Sequence, residues 1–392
     1  MKKIRIGLFI KVLIAILLGA GIGLIASDWI IRLFKTFNVL FAQLLKFMIP
    51  LLILGLVTPA IANMGRKAGK MLLFVLAVAY ISTICSGFFA YLGGGALLPH
   101  YLHPGALSED MAQAKEFIPY VDIKIPPVCD VLTALVLSFL LGIGIIATNS
   151  TALQKGFDEF GNIVKLSIEK AIIPLLPVYI FTMIAEMGAK GVIGALVGDG
   201  LLIIGTGVVL SIIYLIIQYC IAGAVARKNP FKCLWNMVPA YMTGFSICSS
   251  SATIPVTTAC AKKNGIDEDI ADFAVPLCGT VHMCGSTIKL AVTALAVAYL
   301  NGMEIPAAVY INFVLMQGIA AVAAPGVMGG VLMASVGLLE SIMGFSPEQT
   351  ALVMTLYLAL DGYGPACNVT GDGAIALITD RIFGKKTLKQ QS

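Results

Sequence analysis

The stretch Gly244-Phe-Ser-Ile-Cys-Ser-Ser-Ser-Ala-Thr-Ile-Pro-Val-Thr257 sets three serines, a Thr and a Pro between two apolar arms. A helix crossing a bilayer needs about 20 apolar residues in a row. The polar tip interrupts such a run, and non-helical backbone at membrane depth is tolerated only where protein buries it or water reaches it. The segment 233–262 is therefore read as a hairpin that enters and leaves on one side.

Working outward, the rest of the chain is mostly grease. Of its 392 residues, 59% are hydrophobic and only 12% charged, against about a quarter charged in soluble domains. The excess runs along the whole length, which excludes a soluble binding module and indicates a polytopic membrane protein. Candidate spans are 7–27, 37–63, 71–98, 127–148, 161–188 and 197–224, then 268–300. The segment 306–343 is broken at Ala323-Ala324-Pro325-Gly326 and Gly329-Gly330. The last, 347–383, is broken at Gly362, Gly364, Pro365 and Gly371.

Basic residues mark one side: Lys2, Lys3 and Arg5; Arg66, Lys67 and Lys70; Arg227, Lys228 and Lys232; Lys262 and Lys263; and Arg381, Lys385, Lys386 and Lys389. The loop 99–125 carries Glu109, Asp110, Glu116 and Asp122 instead. This clustering at segment ends points to membrane orientation, not to nucleic acid, and puts both termini in the cytoplasm. The alternation works only if 233–262 and 306–343 are hairpins, one opening from each side. Paired interrupted segments of this kind point to an inverted-repeat transporter that holds its substrate near the midplane.

Met1-Lys2-Lys3-Ile4-Arg5 leads into a span long enough to stay in the membrane, with no cleavable signal evident. The nine Cys, at 85, 129, 220, 233, 248, 260, 278, 284 and 367, show no disulfide or metal-ligand spacing. No catalytic triad is found, and no cofactor is expected beyond a coupling ion. In the final segment, Asp361, Asn368 and Asp372 are spaced to share a helix face. Ionisable groups within a membrane span are costly and functional by default. The helix N-terminus at Ser249–Ala252 would suit an anion such as a carboxylate.

The chain resembles the dicarboxylate/amino acid:cation symporter family, the glutamate-transporter homologues. The resemblance rests on Ser249-Ser-Ser-Ala-Thr-Ile-Pro-Val-Thr257, the tip Pro325-Gly326, Asn368-Val-Thr-Gly-Asp372 and Leu45-Lys-Phe-Met-Ile-Pro-Leu51, in order over nearly the whole chain. It implies an all-α fold of eight transmembrane helices plus two re-entrant hairpins, assembled as a homotrimer. Residues 1–63 and 127–188 would be a static scaffold. Residues 71–98, 197–224 and 233–392 would be a transport core that moves as an elevator.

The resemblance also implies site residues. Ser249, Ser250, Ser251, Thr253, Ser286, Pro325, Gly326, Asp361, Gly364 and Asn368 would surround an amino acid. Its carboxylate would lie on the serines and Asn368, and its amino group on Asp361. Cys278, Thr280, His282, Asn368 and Asp372 would line the cation path, with Asp372 as the sodium ligand and carbonyls near Gly318–Ala321 forming a second site.

The chain departs from the family pattern at informative places. Gly364 and Pro365 stand where acidic-substrate transporters carry Arg and Thr, so a side-chain carboxylate would lack its bidentate partner. This predicts a neutral substrate, with Gly364 leaving room for bulk. The Asn-Met-Asp-Gly-Thr motif reads His282-Met-Cys-Gly-Ser286, which removes the side chains of an additional sodium site. The facing hydroxyls of the third span are replaced by Val75, Val78 and Ala79, unless the register slips by a turn to Tyr80, Ser82 and Thr83.

Lys289, deep in 268–300, leaves three readings open. It is a tethered cation in place of the lost sodium; or His282 carries a proton instead; or His282 only packs and Lys289 snorkels or pairs with a neighbour such as Asp361. If Lys289 reaches the substrate, an acidic amino acid or dicarboxylate returns. A channel-like ion conductor is the alternative class.

Overall fold

The computed structural model describes residues 8–66, 70–107, 116–191, 193–324, 329–359 and 361–384. The terminal cations Lys2, Lys3, Arg5, Lys385, Lys386 and Lys389, together with Lys67, Glu109 and Asp110, lie outside them. Among the described residues every regular element is helical, with no strand, and 116–130 form an irregular connection. Three stretches among them, Lys70–His100, Gly198–Ala226 and Glu268–Leu300, are long and apolar enough to cross a membrane.

Helix α1 covers Leu8–Ile25 and α2 Asp28–Arg66. At 39 residues α2 is about 58 Å long, well beyond the predicted span 37–63. Pro50 and Pro59 lie inside it. Helix α3 covers Lys70–Leu97, α4 Val131–Thr148 and α5 Thr151–Ser167. A π-turn at Ile168–Ile172 leads into α6, Ile173–Ala189. The predicted span 161–188 thus straddles a break, next to Pro174 and Pro177, which cannot donate to the helical ladder. Helix α7 is Ile193–Ala226.

The serine-tipped segment is α8 (Pro230–Asn236), α9 (Val238–Ile247) and α10 (Ser250–Lys263). With 10 and 14 residues, α9 and α10 are about 15 and 21 Å long, too short to cross about 30 Å of hydrocarbon singly. They pack against each other. The second interrupted segment is built the same way, from α13 (Ala307–Ala323) packed on α14 (Gly330–Ser341).

Between them, the segment read as one span is two helices, α11 (Glu268–Val281) and α12 (Cys284–Leu300), broken at His282 and Met283. The last segment is α15 (Pro347–Ala359) and α16 (Tyr363–Phe383). Asp361 lies in the break before α16, so it does not share a helix face with Asn368 and Asp372 as the spacing suggested.

Two groups of helices stand out in the packing, and α13, α14 and α15 touch both. Helices α4, α5 and α6 lie along α2, and α1 lies along α6. Helices α3, α7, α9, α10, α11 and α12 gather around α16. Helices α12, α14 and α16 are buried along nearly their whole length. Large apolar side chains on α1, α4 and α7 face outward, among them Leu17, Leu140 and Leu201. This is the pattern of a membrane protein: apolar outside, with Lys289, His282, Asp361, Asn368 and Asp372 buried within.

Candidate functional site

At the serine tip, Cys248 closes α9 in the left-handed conformation, φ 54°, a strained geometry for a residue with a Cβ. Ser249 follows as N-cap of α10, its hydroxyl accepting from the Ala252 amide at 3.3 Å. Thr253 donates back to the Ser249 carbonyl at 2.8 Å. One serine of the run therefore builds the turn. Ser250, buried, faces α16. Ser251 is half-buried.

Asn368 is the hub. Its carbonyl accepts from the amides of Gly285 (2.8 Å) and Ser286 (3.2 Å). These belong to the first turn of α12, where intrahelical partners are missing; Asn368 caps that helix from α16. Its amide nitrogen donates toward Ser286 Oγ at 3.0 Å, Ser250 Oγ at 3.4 Å and Met283 Sδ at 3.4 Å. The break before α12 is held on the other side by Thr83, whose hydroxyl accepts from the Met283 amide at 3.2 Å.

Ser250, Ser286, Gly329, Tyr357, Asp361, Pro365 and Asn368 close around a cavity of about 10 Å³, on the order of one water's worth of space. Asp361 forms an ion pair with Lys289 and accepts from the Gly329 amide at 3.1 Å. Pro325 and Gly326 lie outside the described residues. Gly364 does not leave room. A Cβ there would stand 3.2 Å from Ser286 Oγ, so the space a side chain would take belongs to α12.

A second cluster lies one turn along. His282 Nδ1 is 2.9 Å from Asp372 Oδ1, and its Nε2 is 3.0 Å from Ser82 Oγ. Gln218 Nε2 donates to Ser82 at 2.7 Å, and the Tyr214 hydroxyl donates to the Ser82 carbonyl at 2.6 Å. The third span thus does supply hydroxyls, Ser82 and Thr83, as the slipped register allows. Gln218, Tyr214 and Tyr357 were not anticipated. Buried polar residues on α7 and α15 were the available signal.

Asp372 Oδ2 is buried with no hydrogen-bond partner and faces Gly279 on α11. Sodium seeks oxygen ligands, and a buried carboxylate oxygen without a donor suits it. The remaining cation-path residues are not equally placed. The Asn368 carbonyl is already engaged by two amides. Cys278 is buried, and its carbonyl accepts from the His282 amide at 2.8 Å. Thr280 is exposed and donates to the Leu277 carbonyl at 2.8 Å. Near the Gly318–Ala321 carbonyls, both amide atoms of Gln317 are buried without partners.

Interrupted helices that converge on buried charges within an apolar shell define a membrane transporter rather than an enzyme. The chain belongs to the sodium:dicarboxylate symporter family, whose model matches residues 8–382. It is 27% identical over 414 residues to the serine/threonine transporter SstT of Acinetobacter baylyi, covering 96% of this chain and 98% of that protein. It is 34% identical over 182 residues to mouse (Mus musculus) excitatory amino acid transporter 3, covering 46% of this chain and 34% of that one. Over 211 residues it is 30% identical to human (Homo sapiens) neutral amino acid transporter A, with 54% and 37% covered. The family is one of cation-coupled symporters for amino acids and dicarboxylates, and the chain is an integral membrane protein.

Proposed function

We propose that the chain is a sodium-coupled symporter that carries a small neutral amino acid across the cytoplasmic membrane. The observation that carries this reading is the convergence of Ser250, Ser286, Asn368 and Asp361 on one small cavity between two helix breaks. The opening amides of α10 and the Asn368 amide hold the substrate carboxylate, with Ser249, Ser251 and Thr253 shaping the turn that presents them. Asp361 is the acidic partner beside them. Lys289 is engaged by Asp361, and among the described residues lining the cavity none is a cation, which favours a neutral substrate over a dicarboxylate.

Sodium is held by Asp372 Oδ2 together with nearby carbonyls. Lys289 stands as a fixed positive charge in the core and reduces the number of ions needed. A cavity of about 10 Å³ is far too small for an amino acid, so substrate enters only when the two hairpin tips part. The helices around α16 move as one body past α1, α2, α4, α5 and α6, in a homotrimer with both termini cytoplasmic. The names of the two relatives that carry serine, threonine or neutral amino acids agree with this substrate class.

The deciding experiment is uptake of labelled serine, threonine, alanine, glutamate and aspartate into proteoliposomes under an imposed sodium gradient. Sodium-driven uptake of the neutral group is expected. Uptake of glutamate or aspartate alone would overturn the substrate class. Current without bound substrate, and no uptake, would indicate a channel.

A further inference from the structure

Both oxygens of Asp361 are engaged within the chain. One pairs with the Lys289 ammonium, and the other accepts from the Gly329 amide at 3.1 Å. The ammonium also lies 3.5 Å from the centroid of the Tyr357 ring and 5.4 Å from that of Tyr363, a favourable seat for a cation over aromatic faces. Lys289 and Asp361 are 1% and 2% exposed. Lys289 is therefore locked by a carboxylate and an aromatic wall, on the helix whose first turn Asn368 caps. It occupies the ground where a substrate ammonium would meet Asp361.

We infer that Lys289 is a specificity-determining residue: a built-in ammonium that makes the substrate's own amino group dispensable. The class recognised is then the small monocarboxylate, with or without an α-amine. A second ammonium brought to Asp361 gains little, because that carboxylate is already neutralised and the incoming charge is repelled by Lys289. A 2-hydroxy or unsubstituted acid has no such repulsion and keeps every contact of its carboxylate with Ser250, Asn368 and the start of α10. The inference rests on the reading of this cavity as the substrate site and deepens it.

The test uses the full chain in proteoliposomes under a sodium gradient, with acids matched except at Cα: alanine against lactate and propionate, serine against glycerate. In the parent protein, lactate, propionate and glycerate are expected to be taken up with half-saturation within about threefold of the matching amino acid. In Lys289→Gln the amino acid should be preferred by about tenfold or more. Lys289→Arg, which keeps the charge, should retain the parent order. If the parent protein takes up alanine and serine but ignores the amine-free acids in large excess, the inference is overturned and the symporter reading stands. If it moves none of the five acids, the inference and the reading beneath it both fall. The parent measurements decide the matter even if Lys289→Gln does not fold.

Discussion

Asn368, on α16, caps a helix to which it does not belong: its side-chain carbonyl takes the amides of Gly285 and Ser286 at the start of α12. One residue thereby fixes the break in the seventh apolar segment and aims its amide nitrogen at Ser250 and Ser286. The two roles are separable. Asn368→Ala loses both, with a capping loss of about 1–2 kcal/mol. Asn368→Asp keeps an acceptor that the helix N-terminus favours, but turns a donor into a charge that repels a carboxylate. Both variants should lose uptake. In thermal unfolding in detergent, Asn368→Asp should melt closer to the parent than Asn368→Ala. Equal melting losses would show that the cap is not what Asn368 contributes to stability.

Helices α12 and α16 approach closely where Gly285 and Gly364 stand. A Cβ at Gly285 would overlap the Cys367 side chain and the Gly364 carbonyl. A Cβ at Gly364 would stand 3.2 Å from the movable Ser286 hydroxyl. Overpacking a tight core typically destabilises by about 1–3 kcal/mol. The expected order of melting temperature is parent, then Gly364→Ala, then Gly285→Ala. Parent-like melting of Gly285→Ala would mean that the two helices stand farther apart at Gly285 than this overlap requires.

The interruptions between α9 and α10 and between α13 and α14 are legible in the sequence because Ser, Pro and Gly, the residues that break helices locally, stand there. The break at His282–Met283 is not. Nothing in Val281-His-Met-Cys284 forbids a helix; the break is imposed by Thr83 and Asn368, distant in sequence. The same holds for the face shared by Asp361, Asn368 and Asp372. That inference presumed an unbroken helix, and Asp361 precedes it. Of the three readings for Lys289, pairing with Asp361 is the contact seen, and it is compatible with the fixed-charge role. Ser82 was within a turn of the expected register, an error that a featureless apolar helix cannot correct from its own pattern.

Lys35 on α2 ties that helix to α15, which packs on α12, lying 3.3 Å from Glu186 on α6 and 3.3 Å from Glu348 on α15. Glu186 is buried and also holds Lys190 at 2.8 Å, whereas the Glu348 side chain is 54% exposed. An exposed pair of this kind contributes about 0–1 kcal/mol, so Glu348→Gln should barely change the melting temperature. It should change the rate of uptake, with little change in half-saturation, because the contact must break if the groups slide past one another. The effect should shrink at high salt. An unchanged rate at low salt would count against sliding at this surface.

Asp372 divides its oxygens: Oδ1 meets His282 Nδ1 at 2.9 Å, and Oδ2, buried, has no partner. Asp372→Asn keeps the shape and an oxygen for His282, but leaves an amide or a weaker oxygen where a cation would seek a carboxylate. The parent protein should therefore melt higher in sodium than in choline, since a ligand that binds only the folded state stabilises it by mass action. Asp372→Asn should show no such difference while still folding. His282→Ala should make the contrast larger: it strands a buried carboxylate at a loss of about 3–5 kcal/mol, which sodium at Oδ2 would partly offset. These shifts are read without transport, so they remain informative if no substrate has been found. A parent protein that melts alike in sodium and choline, across concentrations that drive uptake, would place the coupling ion elsewhere.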